Sequence, residues 1–390
     1  MDNNYGLFSN IPLELYDNIL QFLPEQDLLN VSLVSKEFHN AVFNSSVHMS
    51  KISIRMNVRN IRKLEISALM SSKRKYQNMK ISSIDIDSIN DKDYSWFRFV
   101  TCEILKRFSS SLIYIESDID LEKFNVEIPN LKKLKFVNVP YKMLELSPTG
   151  LLSKLTKINE LSLVYTMTWR SKVILLDYFK MNSNLEILNI NESSLETDFK
   201  LPYFNQELHP IDYKIKLKKF SLTRCFWKSE NYWQIIINFL KSQSSTLKFL
   251  KIDSCSLMTF KSIVEELPKL KTFEGNFYEI SNEAAVKIPR NSRIEIFKSR
   301  SILKYEEKLA NSLIGLKVLK IFQLNYLSLD KIMSLHWPSL VRVEFCYYLG
   351  GFMEETDFEE SFDLLLEIHP RFNKNIQFVQ IPKCEQQNFF

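Results

Sequence analysis

Glycine is scarce in this chain, with six residues among 390, whereas globular proteins contain about 7% glycine. The sequence holds no GxGxxG and no GxxxxGK[ST] motif. Phosphate-binding loops need glycine because the backbone must approach the phosphate without a Cβ, so the sequence argues against nucleotide chemistry. HExxH and GxSxG motifs are also missing. A triad scattered along the chain would leave no such motif, but nothing here supports an enzyme or a cofactor.

The chain also lacks paired cysteines and long apolar runs. Its five cysteines form no CxxC pair, and they lie far apart at Cys102, Cys225, Cys255, Cys346 and Cys384. An odd, dispersed set argues against a disulfide framework and against a zinc site. We therefore expect a reducing compartment, the cytoplasm and/or the nucleus. No run reaches the roughly 18 apolar residues that span a bilayer, so we expect no membrane partner.

Charge is divided unevenly along the chain. Residues 1–50 hold six acids and one base, a net charge of −5, and the rest of the chain holds 50 bases and 40 acids, a net charge of +10. An acidic head on a basic body indicates two surfaces with different partners. The patterns described next predict two domains with the same bounds, residues 1–50 and residues 51–390.

The body of the chain is repetitive. Segments of the form apolar-x-x-apolar-x-apolar begin at residues 61, 81, 131, 158, 185, 217, 247, 316, 340 and 376, with weaker copies at 112, 270 and 291. Successive starts are 19 to 36 residues apart, and the last apolar positions alternate with polar ones, which is typical of a short half-buried strand.

Amphipathic patterns typical of helices separate these segments, at residues 171–180, 230–242, 258–268, 328–338 and 361–370. Strands and helices that alternate at this period predict an α/β solenoid with parallel strands inside and helices outside. The pattern resembles an irregular leucine-rich repeat solenoid, which has the shape of a horseshoe. Two segments extend to a ninth position, Cys225 and Cys255, which that motif turns inward to cap backbone groups.

Residues 9–43 differ from this body, reading "SNIPLELYDNILQFLPEQDLLNVSLVSKEFHNAVF". The order of Ile-Pro, spaced leucines, Asp-Leu-Leu and Leu-Val-Ser-Lys resembles an F-box, although Phe38 stands where that family often has Trp. The resemblance implies a compact helical module that binds the Skp adaptor of SCF ubiquitin ligases, and through it a cullin. We expect the adaptor to contact Ile11, Pro12, Leu15, Ile19, Leu20, Leu23, Leu28, Leu29, Val34 and Phe38. Alternatively, the segment is only a helical cap for the solenoid.

The resemblance implies a non-catalytic substrate receptor, in which the head binds the ligase scaffold and the solenoid holds the target for proteasomal degradation. A non-ligase F-box scaffold, for example in a chromosome-associated complex, is the alternative. On the strands, residues between apolar positions should face the concave side, and together with residues that follow the strands they would form the target surface: Lys133, Lys135, Lys219, Arg224, Phe226, Trp227, Phe249, Lys251, Lys320, Arg342 and Tyr347. Glu160, Glu274 and Glu344 lie on the same side, but bases outnumber them, which favours an acidic or phosphorylated target.

A second basic feature is the run "SSKRKYQNMK", with Lys73, Arg74 and Lys75. Such a run suits nucleic acid, but basic tracts are common on solvated loops and no stacking-aromatic motif accompanies this one. We therefore expect a solvated loop and no nucleic-acid partner.

Overall fold

The computed structural model describes residues 12–57, 63–82, 91–119, 121, 124, 126–137, 155, 157–164, 182–191, 215–223, 230–277, 285–300, 302, 304–324, 326–347 and 376–380. The chain forms two compact units, residues 1–185 and residues 186–390. Both units are mixed α/β, and every described strand pair is parallel.

Four short helices open the first unit: α1 Leu13–Leu20, α2 Glu25–Val31, α3 Lys36–Asn44 and α4 Ser46–Met49. Pro12 and Pro24 precede the first two, where a missing N–H costs nothing because the first turn has no acceptor for it. Ser35 caps α3 by accepting a hydrogen bond from the Phe38 N–H at 3.3 Å. Tyr16, Leu20, Leu28 and Val42 are buried within this helical segment.

The described residues in the rest of the first unit form five strands and two helices. They are β1 Ser53–Asn57, α5 Lys63–Ser71, β2 Asn78–Ser82, α6 Asp91–Phe108, β3 Tyr114–Ser117, β4 Lys133–Val137 and β5 Glu160–Val164. Each strand pairs with the next one along the chain. Burial alternates along them, so apolar residues line one face of the sheet, as in Leu134 and Phe136 of β4. The opposite face carries the polar residues.

The second unit continues the same pattern with eight strands and four described helices. They are β6 Ile187–Asn191, β7 Lys219–Thr223, α7 Glu230–Ser242, β8 Phe249–Cys255, α8 Leu257–Glu266, β9 Thr272–Phe277, β10 Ile296–Ser299, α9 Glu306–Ser312, β11 Val318–Leu324, α10 Tyr326–Ser334, β12 Arg342–Tyr347 and β13 Gln377–Gln380. Its core includes an aromatic cluster in which the rings of Phe273 and Phe297 stack with centroids 5.5 Å apart.

Buried polar side chains complete the turns before the strands. The Asn291 Oδ1 accepts hydrogen bonds from the N–H groups of Arg293 and Ile294 at 2.8 and 2.9 Å. The Gln243 Oε1 accepts one from the Leu217 N–H, and the Asn182 Nδ2 donates one to the Ile158 carbonyl. Since an unpaired buried backbone group is costly, these amides stabilise the three turns in which they lie.

Most strand predictions are confirmed. Strands begin two residues into nine of the segments, those that start at 112, 131, 158, 185, 217, 247, 270, 316 and 340. The prediction at 61 is wrong, because residues 63–71 form a helix. At 291 and 376 the register is wrong: Phe297 and Phe378 take the positions predicted for Ile294 and Val379. The segment at 81 overlaps only the last residues of β2.

Three of the helix predictions are confirmed by α7, α8 and α10, and those at 171–180 and 361–370 lie outside the described residues. Cys255 is buried, as predicted, and Cys225 lies outside the described residues. Within the described part of the chain, no helix combines the length and the apolar character needed to cross a membrane.

Candidate functional site

Helix α1 has two apolar faces with different environments. Tyr16 and Leu20 are buried, and the ring of Tyr16 packs edge-on against that of Phe38, with centroids 5.0 Å apart. Leu15 and Ile19, also four residues apart, are exposed. Residues at this spacing share one side of a helix. One side of α1 therefore packs on the domain, and the other presents apolar side chains to solvent.

The residues that we predicted to bind the adaptor fall into three groups. Pro12, Leu15, Ile19 and Val34 are exposed. Leu23, Leu29 and Phe38 are half-buried. Leu20 and Leu28 are 1% and 0% exposed, so the structure corrects their place: they support the core of the helical segment and are not available to a partner. Ile11 lies outside the described residues.

Sequence reasoning missed two of the most exposed apolar side chains. Phe22 and Leu33 are 81% and 83% exposed. Phe22 lies three residues after Ile19, and its N–H bonds the Ile19 carbonyl, so it extends the exposed stripe of α1. The sequence could have indicated both residues, because Phe22 follows Ile19 at helical spacing and Leu33 directly precedes Val34. We call the exposed set Leu15, Ile19, Phe22, Leu33 and Val34 the apolar surface.

Exposed apolar side chains are concentrated in this part of the chain. Ten large apolar residues are exposed among those described, and six of them lie within residues 12–49. Residues 8–49 match the F-box domain. F-box domains generally bind Skp-type adaptors, and the apolar surface lies within the matched residues. No curated protein matches the chain.

The F-box domain is bonded directly to the first strand. The Lys51 Nζ donates to the Gln21 carbonyl and, at 3.1 Å, to the Leu23 carbonyl, at the end of α1. Glu25 accepts a hydrogen bond from the Ser53 N–H at 2.8 Å and pairs with Arg55. These contacts tie the F-box domain to β1 without a flexible linker between them.

Ion pairs lie on the polar face of the strands in the first unit. Glu116 lies between Lys80 and Lys135, with N–O distances of 3.6 and 3.1 Å, and accepts a hydrogen bond from the Tyr114 hydroxyl at 2.9 Å. Burial opposes ionisation of Glu116, but the bonds from Tyr114 and Lys135 outweigh it and hold the pKa of its carboxyl below the usual value. Burial and the neighbouring carboxylate raise the pKa of Tyr114.

The second unit repeats this arrangement. Glu274 lies between Lys251 and Lys298, at 2.6 and 3.7 Å. Glu344 lies between Lys320 and Arg342, at 3.4 and 2.7 Å. Because parallel pairing places Lys251 opposite Glu274 and Lys320 opposite Glu344, the register itself creates these pairs.

The predicted target residues therefore differ in their surroundings. Lys133 pairs with Glu160 at 2.9 Å, and the Lys219 ammonium lies 4.7 Å from the centre of the Phe249 ring. Of the remaining predicted residues, Arg224, Phe226 and Trp227 lie outside the described residues, and Tyr347 ends β12 opposite Leu324. The cations predicted to attract an acidic target are mostly neutralised by carboxylates on the same face.

Proposed function

We propose that this chain is the substrate-recognition subunit of an SCF-type ubiquitin ligase. Its F-box domain recruits a Skp-type adaptor and, through it, a cullin. The parallel sheet, which we interpret as a leucine-rich repeat solenoid, binds the target protein. The chain itself supplies no catalytic residue. Its contribution is proximity, which converts a bimolecular ubiquitin transfer into an effectively intramolecular one, in the cytoplasm and/or the nucleus.

The observation that carries this proposal is the apolar surface of the F-box domain. Its five side chains range from 49% to 83% exposed. Burying an exposed leucine or phenylalanine side chain contributes about 1.5–3 kcal/mol. A small domain that exposes several such side chains is suited to bind a partner.

The contacts between the F-box domain and β1 support the same function. A receptor has to hold its target at a fixed distance from the ligase, and a flexible connection would dilute that effect. The bonds from Lys51 and Glu25 order the junction between the domain that recruits the adaptor and the start of the sheet.

The polar face of the sheet is the proposed target surface, and its ion pairs define what it selects. A target that carries only negative charge has to compete for the lysines with Glu116 in the first unit, or with Glu274 and Glu344 in the second. A target whose positive and negative charges match the order of the carboxylates and lysines on this face would bind better. So would a phosphorylated side chain that displaces a carboxylate from its lysine.

The experiment is co-purification of the tagged chain with a Skp-type adaptor and a cullin. Replacing Leu15 and Ile19 with Asp should abolish recovery of both, because two charges would be buried at the interface. Met258→Asp with Val341→Asp is the matched control, since these residues are similarly exposed and lie outside the F-box domain. Circular dichroism should stay unchanged in both variants.

Adaptor binding that survives Leu15→Asp with Ile19→Asp would contradict the assignment. Loss of the whole fold in that variant would favour the helical-cap interpretation instead. If the wild-type chain co-purified with the adaptor but not with a cullin, the result would favour the alternative function, a non-ligase F-box scaffold.

A further inference from the structure

A groove outside the polar face has a different charge balance. It has a volume of about 660 Å³ and lies between α3–α4 and the segment 72–77, both in the first unit. Ligand sites commonly have volumes of about 300–1,000 Å³. Its lining includes the basic run Lys73, Arg74 and Lys75, together with the hydroxyls of Ser45, Ser46 and Ser72, and none of the described residues that line it is acidic.

The basic segment is held in place by bonds from its neighbours. Arg107 donates to the carbonyls of Met70 and Ser72, at 3.3 and 3.0 Å. The Ser111 hydroxyl donates to the Tyr76 carbonyl at 2.8 Å, and the ring of Tyr76 packs edge-on against that of Phe108. The segment is therefore not the freely solvated loop that we expected from the sequence. It is ordered without a ligand.

Arg74 joins this segment to the F-box domain. Its guanidinium lies 3.4 Å from the centre of the Phe43 ring and donates to the Tyr76 hydroxyl at 3.4 Å. A guanidinium has five N–H donors, so this arrangement fixes the plane of Arg74 while leaving donors for an anion. The stacking also explains why the arginine lies in the groove rather than in bulk solvent.

The two lysines of the run differ from the lysines of the polar face. Lys73 and Lys75 are exposed and line the groove. Among the described residues neither forms an ion pair, in contrast to Lys135, Lys251 and Lys320 on the polar face. As far as its described lining shows, the groove thus combines three cations and three hydroxyl groups without a compensating acid.

We propose that this groove binds a phosphorylated peptide segment of a partner protein. A phosphoryl group carries about −1.5 to −2 charges and three acceptor oxygens, which matches the cations and hydroxyls. The side chains of Asn40, Asn44 and Gln77 also line the groove and can bond the backbone of an extended peptide.

A nucleic acid is less well suited to this groove. Single strands bind where aromatic faces are free to stack on bases. The Phe43 ring has Arg74 against it and His39 at 4.7 Å, so its face is already in use. The described lining also offers three cations close together, whereas nucleic acids are bound along extended basic tracks.

The test uses the full chain and fluorescence polarisation of a labelled, sequence-degenerate octapeptide pool with a central phosphoserine. The phosphorylated pool should bind, and the same pool without phosphate should bind about tenfold more weakly or worse. Lys73→Glu with Lys75→Glu should weaken binding of the phosphorylated pool by a similar factor. The control, Lys269→Glu with Lys287→Glu, reverses two exposed lysines of the second unit and should stay within roughly twofold of wild type.

Equal binding of the two pools, no binding by the wild-type chain, or full binding by Lys73→Glu with Lys75→Glu would overturn the proposal. Tighter binding of a single-stranded RNA octamer than of the phosphorylated pool would make the groove a nucleic-acid site and overturn it as well. Lys73→Glu with Lys75→Glu should still capture the adaptor and keep the melting temperature of the wild type. Failure of the peptide-binding proposal is therefore distinct from failure of the ligase role. If this variant does not fold, Lys73→Ala with Lys75→Ala should weaken peptide binding in the same way.

Discussion

The two faces of α1 allow adaptor binding and domain stability to be separated. Leu15 is 49% exposed and Ile19 is 60% exposed. If full burial of such a side chain contributes about 1.5–3 kcal/mol, covering these fractions contributes about 1.6–3.3 kcal/mol in total. Leu15→Ala with Ile19→Ala should therefore weaken adaptor binding by roughly 15- to 250-fold. The free energy of unfolding should change little, since both side chains face solvent.

Leu20 is the matched position on the other face. It is 1% exposed, so Leu20→Ala removes a core side chain and leaves a cavity, which costs about 2–5 kcal/mol of the free energy of unfolding. Isothermal titration with a purified Skp-type adaptor measures the first effect, and urea unfolding measures the second. Leu20→Ala should lose adaptor affinity only to the extent that the domain unfolds.

Two results would refute this reasoning. The first is wild-type adaptor affinity in Leu15→Ala with Ile19→Ala, which would show that the exposed stripe does not contact the adaptor. The second is a large loss of stability in that same variant, which would show that the stripe packs against the chain itself.

Three further predictions concern stability, each measured by thermal or urea unfolding. A Cβ at Gly315 would lie 2.0 Å from the Ser292 carbonyl oxygen, so Gly315→Ala should cost about 1–3 kcal/mol or more; an unchanged melting temperature would contradict it. Asn291→Ala should cost at least about 1–3 kcal/mol, because two backbone N–H groups lose their acceptor, and Asn291→Asp, which keeps an acceptor, should cost less. Because the pKa of Glu116 is lowered, its stabilising contribution is complete above its unfolded value of 4.5 and is lost as pH falls through the folded value; Glu116→Gln should flatten this acid dependence.

The repeat pattern predicted most strands because the apolar positions that define it lie within six consecutive residues of the chain. It missed β1 and misplaced β2. Strand pairing puts Lys51 and Tyr76 at the first position of those two repeats, where most of the predicted segments have leucine or isoleucine. At residue 61 the pattern matched a helix, because apolar residues three apart suit both structures. Local spacing alone does not distinguish the two.

The position of the F-box domain in the chain could be predicted from the sequence, but which of its apolar residues are exposed could be predicted only in part. Apolar spacing located its helices, but Leu15 and Leu20 are both leucines on one short helix, and only the packing of Tyr16 on Phe38 decides which face is buried. Similarly, Glu116 and Lys135 are 19 residues apart in sequence and meet only through the register of β3 and β4. The charge state of the polar face therefore could not be predicted from the residues of single strands.

Pairing also changes what the net charge of the body means for recognition. The residues after 50 carry +10, yet Lys251, Lys298 and their counterparts in the first unit face carboxylates at 2.6 to 3.7 Å. Paired charges cancel at a distance, so long-range attraction of an anionic partner has to come from cations such as Lys73 and Lys75, which form no ion pair within the described part of the chain. The polar face acts only at contact range, where a partner must match the order of its charges.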